Sequence, residues 1–186
     1  MTLRTMAPAL LIAFVSCGDD SERNPVEPEE PSTPVNAMND YAEAFVAGDK
    51  DAVAQLLHPE FEYDVLGVCP SGSCREAYPT NYVEELGILG HMMDSADSGS
   101  GPAVAEREMT ASVMTAETLA NRDVQCFVQL VVRVRTGETT WLLNRADVEI
   151  TFRRGSTGAF QILKMLEYTL FRSPSGCWAE TRCLWS

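Results

Sequence analysis

Positive charge, histidine and long apolar runs are what this chain has least of. Fourteen Lys and Arg face 27 Asp and Glu, a formal net charge of -13 over 186 residues. No basic block offsets that balance, which excludes nucleic acid and anionic lipid headgroups as partners, because both need Lys or Arg to neutralise phosphate. The two histidines, His58 and His91, have no partner at metal-ligand spacing, and the methionines are spread at core spacing rather than clustered. The sequence therefore offers no metal or cofactor site. No glycine-rich phosphate loop follows a strand, and no GxSxG nucleophile elbow is present. The longest apolar run, Met6 to Val15, is half of the roughly 20 residues that a membrane-spanning helix requires. What is present, 45% hydrophobic against 22% charged residues, suits one globular domain with its own core.

The N-terminus reads as a targeting segment. Arg4 precedes the short apolar run, and residues 1–17 end in Phe14-Val15-Ser16-Cys17, which resembles a bacterial lipobox. The resemblance implies cleavage before Cys17, acylation of Cys17, and a protein held at a membrane of the bacterial cell envelope by its lipid alone. Secretion after nearby cleavage is the alternative. Residues 18–34, GDDSERNPVEPEEPSTP, carry four prolines and six acids with almost no apolar side chains. Such a stretch buries too little surface to fold, and its prolines and like charges extend it, so it reads as a spacer before a single domain over 35–186.

Cysteine usage agrees with export. Cys69 and Cys74 close the short loop CPSGSC, and Cys177 and Cys183 lie in a C-terminal tail, CWAETRC. Local disulfides Cys69–Cys74 and Cys177–Cys183 are the first expectation, with cross-pairing of loop to tail as the competitor. A four-thiolate zinc site fits poorly, since the intervals between paired cysteines exceed the common two. Cys126 falls on the apolar face of a strand, where a thiol behaves as a small hydrophobe.

Along the domain, Met38, Tyr41, Ala42 and Phe45 stand at helical spacing and Gly48 supplies a stop. Asp49 or Asp51 can cap a second helix carrying Val53, Leu56 and Leu57, which Pro59 prevents from continuing, with His58 placed to cap its end. A short strand FEYDVLG follows. Thr80 or Asn81 can cap a third helix with Tyr82, Leu86, Leu89 and Met93 on one face. From residue 103 the period becomes two. Val124, Cys126, Val128, Leu130, Val132 and Val134 form an unbroken apolar face; Val148, Ile150 and Phe152 form another; Phe160, Ile162, Leu166 and Tyr168 form the last, interrupted by Lys164. Turn signals at RTGET and RRGSTG require antiparallel hairpins. The expected fold is α+β, with three N-terminal helices packed on one face of a curved antiparallel sheet.

Residues 41–61, YAEAFVAGDKDAVAQLLHPEF, with a helix, a Gly-Asp turn, a second helix and a His-Pro step into a strand, resemble the opening of the nuclear-transport-factor-2-like, or SnoaL-like, superfamily. The resemblance covers about residues 36–172 and implies a cone-shaped domain. It is nearly silent on function, because that superfamily includes isomerases, dehydratases, epoxide hydrolases and members with no reaction. Carrying over the ketosteroid-isomerase pattern, Tyr41 matches the oxyanion tyrosine, Val65 falls where the general base belongs, and Val148 falls where the second oxyanion donor belongs. The neighbouring acids Asp64 and Asp147 point to the opposite strand faces by alternation. Two of three roles are empty, which argues against that mechanism.

The polar residues left for a pocket are Tyr41, Tyr63, Asn144, Lys164 and Tyr168, with Arg107 near the mouth. Lys164, between Ile162 and Leu166, is either a base or carboxylate partner inside the cone, or a side chain reaching solvent at the sheet rim. The expectation is a non-catalytic domain that binds a small apolar ligand or pairs with a protein, with a lyase or isomerase-type enzyme as the alternative. Phe127 and Val131 interrupt the polar pattern of Gln125, Gln129 and Arg133 on the outer sheet face, which offers a surface for a homodimer.

Overall fold

Thr33 starts the first helix. In the computed structural model, which describes residues 32–66, 79–94, 102–137 and 140–168, its side chain accepts from the Asn36 N–H at 3.1 Å. Pro34, with φ already set for a first turn, opens α1 (Pro34–Ala47). Ser32 is held as well, its hydroxyl accepting from the Phe160 N–H at 3.0 Å. The end of the stretch read as a spacer, Ser32 to Pro34, thus belongs to the fold. Met38, Tyr41, Ala42 and Phe45 form the buried face of α1, and Gly48 terminates it at φ 73°. Only glycine suits this turn: the backbone is left-handed, and a Cβ would stand 2.6 Å from the Arg107 guanidinium.

Asp49 caps α2 (Lys50–Leu56), accepting from the Ala52 N–H at 2.9 Å. The chain then enters β1 (Leu57–Leu66) two residues before Pro59. His58 does not cap α2; its Nδ1 accepts from the Glu60 N–H at 3.1 Å, within the strand's irregular start. After β2 (Thr80–Asn81), Asn81 and Glu84 form a reciprocal capping box that opens α3 (Tyr82–Met93). Four longer strands follow, β3 (Val104–Thr118), β4 (Val124–Thr136), β5 (Thr140–Arg154) and β6 (Phe160–Tyr168).

The six strands make one sheet in the order β2-β1-β6-β5-β4-β3. The expected wholly antiparallel sheet is corrected here: β1 runs parallel to β6. Hairpin logic fixes the sense of consecutive strands only, and β1 and β6 are the first and last long strands, so short turns dictate nothing about that pair. Nor do the helices all precede the sheet, since β1 and β2 stand between α2 and α3 in chain order.

The core lies between the helices and one sheet face. Cys126, Val128, Leu130, Val132 and Val134 of β4 and Ala146, Val148, Ile150 and Phe152 of β5 are all buried, as their period of two requires. In β6 the alternation changes phase. Phe152 pairs with Ile162, but Thr151 pairs with Lys164, so Leu163 is an extra residue. This bulge turns Met165 and Glu167 inward, and both are buried. Lys164, Leu166 and Tyr168, which strict alternation from Ile162 assigns to the interior, stand on the outer face instead.

Candidate functional site

Six buried polar side chains come from six different elements. Tyr41 enters from α1, Tyr63 from β1, Thr80 from β2, Glu85 from α3, Asn144 from β5 and Glu167 from β6, all at most 5% exposed. Four members of this set are joined in two pairs. The Tyr63 hydroxyl donates to Glu167 Oε2, and the Thr80 hydroxyl donates to Glu85 Oε2 at 3.2 Å. Thr80 and Tyr63 are register partners across β2 and β1, so the two pairs sit side by side on the sheet. A hydrogen bond in apolar surroundings is electrostatically stronger than the same bond in water.

Glu167 is the central member. In register it lies between Val65 on β1 and Val148 on β5, and these are the two positions where the ketosteroid-isomerase pattern would have its acids. Both are aliphatic, while their acidic neighbours Asp64 and Asp147 are only half-buried, and the Asp64 side chain accepts from the Val65 N–H at 2.8 Å. The interior carboxyl comes from the strand between those positions.

Of the residues expected at a pocket, Tyr41, Tyr63 and Asn144 are buried on the inner side. Lys164 and Tyr168 are not among them, because the Leu163 bulge sends both outward. Lys164 is 3.6 Å from Glu62 in an ion pair that is nearly half exposed. The Tyr168 hydroxyl donates to Glu149 Oε2 at 3.0 Å, and its ring lies 6.3 Å from that of Phe127. Burial, and then the bond to Glu149, raise the Tyr168 pKa. Arg107 is tied to the helix layer. Its guanidinium donates to the carbonyls of Met92 at 3.3 Å and Met93 at 2.9 Å, fastening the C-terminal end of α3 to β3. Desolvation lowers its pKa. Cys126 is buried and free, its thiol pKa raised by burial. Cys17, Cys69, Cys74, Cys177 and Cys183 lie outside the described residues.

Sequence reasoning missed Glu85 and Glu167. A signal for Glu85 exists: Glu84 is needed at the third position of the capping box, and Glu85, Ile88, Leu89, Met92 and Met93 then form a stripe at helical spacing, all buried. For Glu167 no local signal exists, because its direction depends on the bulge. Among the described residues no three His, Cys, Asp or Glu come together as a metal site would need.

No known sequence-family model matches the chain, and no curated protein matches it. Solved structures do. An NTF2-like protein from Cytophaga hutchinsonii aligns with TM-score 0.52 and 15% identity, covering 73% of this chain and 94% of that one. The fold is NTF2-like. A conserved protein from Planctomyces limnophilus aligns with TM-score 0.54 at 15% identity, over 73% of this chain and 92% of its own. ActVI-ORFA from Streptomyces coelicolor gives 0.52 at 10% identity, over 72% and 91%. Identities this low speak for the NTF2-like fold alone.

Proposed function

We propose that the NTF2-like domain binds a small, largely apolar molecule on the inner side of its sheet, and that it does so outside the cytoplasm, tethered to the membrane surface through acylated Cys17. The observation that carries the binding reading is the polar set itself. Tyr41, Tyr63, Glu85, Asn144 and Glu167 are buried, each on a different helix or strand, in an interior otherwise built of aliphatic, aromatic and methionine side chains, the mixture of many apolar and few polar groups that lines small-molecule sites. Native and denaturing mass spectra of the Cys17→Ser protein, purified from an oxidising compartment, test it. A ligand lost on denaturation supports the reading, and a protein that stays empty with and without lipid and metabolite extract overturns it. The mass deficit also counts disulfides, for which Cys69–Cys74 and Cys177–Cys183 remain the proposal. For the tether, wild-type protein should fractionate with membranes and Cys17→Ser should be released; equal solubility of both refutes it.

The second reading is a lyase or isomerase-type enzyme in the same site, and the Tyr63–Glu167 pair favours it, since a phenol and a carboxyl in hydrogen-bond contact can pass a proton. Pairing of two copies through the outer sheet face is a further part of the proposal. Phe127 and Leu143 are exposed there, each in register with a charged residue, Glu149 and Arg133. The oligomeric state in the same native spectra decides that point.

A further inference from the structure

We propose that the cleft between α1, α2 and the β5–β6 turn is a binding site separate from the sheet interior, and that it takes a small organic amine, a single ammonium on a short apolar body. The cleft has a volume of about 460 Å³ and none of the buried polar set among its lining residues; that volume lies in the range of small-molecule sites. Its walls are tied to one another. The Gln161 side-chain amide of β6 donates to the Gln55 carbonyl of α2 at 2.8 Å, and the Phe160 N–H donates to the Ser32 hydroxyl, just before α1, at 3.0 Å. The turn closes on itself, with the Gly155 N–H donating to the Ala159 carbonyl at 2.8 Å and the Gly158 N–H to the Gly155 carbonyl at 3.0 Å. A ligand therefore meets walls whose ordering the fold has already supplied.

Charge decides what fits there. Asp40 is the one charged residue among those lining the cleft. It is exposed, and among the described residues no hydrogen bond or ion pair engages its side chain, so an anionic oxygen faces the cleft with no cation of the chain against it. The remaining lining is neutral. Ala52, Leu56 and Phe160 offer hydrocarbon, and the hydroxyls of Ser156 and Thr157 can accept from an N–H. An ammonium has three donors, one for the Asp40 carboxylate and the others for those neutral oxygens, while its apolar body covers the hydrocarbon. The nearby cation, Arg154, does not line the cleft; it stacks 4.2 Å from the Phe160 ring centroid and donates to the Gly158 carbonyl. The net charge of -13 draws cations and repels anions at long range.

A matched series of 2-phenylethylamine, 2-phenylethanol and 3-phenylpropionate, titrated into the isotope-labelled Cys17→Ser protein at neutral pH and low salt, separates charge from shape. The expected result is saturable chemical-shift change at the backbone amides of Gln55, Thr157 and Gln161, with the amine binding at least about threefold tighter than the alcohol, as an exposed ion pair can supply, and the propionate binding weakest. In Asp40→Asn, a surface change that leaves the fold intact, the amine and the alcohol should bind within about twofold of each other, and about 1 M salt should narrow the difference in the same way. Equal affinity for amine and alcohol, a preference that survives in Asp40→Asn, or tightest binding of the propionate overturns the proposal. So do shifts scattered over other surface acids, and so does the absence of saturable binding by any of the three. None of these outcomes bears on a ligand in the sheet interior, which the native mass spectra test on their own.

Discussion

Removing the Tyr63 hydroxyl should show how strongly the interior depends on the buried polar bond that links β1 to β6. Tyr63→Phe leaves the ring in place, so no cavity forms, and the change removes the hydroxyl that donates to Glu167. Tyr63 is 0% and Glu167 1% exposed, so water does not reach the carboxyl to replace the lost donor. A buried donor or acceptor that loses a partner costs about 1–3 kcal/mol. For a domain of this size about 2 kcal/mol corresponds to roughly 4–8 °C in Tm. Glu167→Leu should lose a comparable amount, because it removes the acceptor of the Tyr63 hydroxyl. The double variant should be less damaged than the singles combined, since two apolar groups of similar shape need no partner. Urea unfolding of the four proteins with a common m value measures the coupling, expected at about 1–3 kcal/mol. A coupling below about 0.5 kcal/mol, or strict additivity, would refute the claim that this bond organises the site.

Three further outcomes follow from particular contacts. Gly48→Ala should destabilise by more than about 1 kcal/mol, since alanine is strained at φ 73° and its Cβ meets the Arg107 guanidinium; thermal unfolding checks this, and an unchanged Tm contradicts it. Lys164→Met should alter stability by less than about 0.5 kcal/mol and leave ligand binding unchanged, because the amine sits outside in an exposed pair with Glu62; lost binding would put Lys164 back in the interior. The hydrogen bond from Arg153, and then its charge, hold Asp123 below the ordinary carboxylate range. The folded pKa is thus lower than the unfolded one, so this contribution is fully present above about pH 4 and fades as pH falls through the folded value. Arg153→Met should flatten the acid limb of the stability curve, and an identical limb in both proteins would exclude the linkage.

Much of the fold could be read from local chemistry. Gly48, Asp49 and Asn81 bound the helices where capping requires, and the apolar faces of β4 and β5 follow a strict period of two. The reading failed where structure is decided across strands. Nothing local to β1 or β6 states that they run parallel, and Leu163 differs from its neighbours in no way that marks a bulge. The pocket assignment inherited that failure. Tyr41, Tyr63 and Asn144 came from segments whose phase was read correctly, whereas Lys164 and Tyr168 lie beyond the point where the phase of β6 shifts.

That single shift also reverses the chemistry of the site. With strict alternation the β6 contribution to the interior is an amine, Lys164, and a ligand carboxylate is its natural partner. With the extra residue at Leu163 the contribution is a carboxyl, Glu167, which accepts from the Tyr63 hydroxyl. The composition of β6 is identical in the two cases; only the face changes. A bulge therefore changes which side chains line the interior of the sheet as directly as a substitution does.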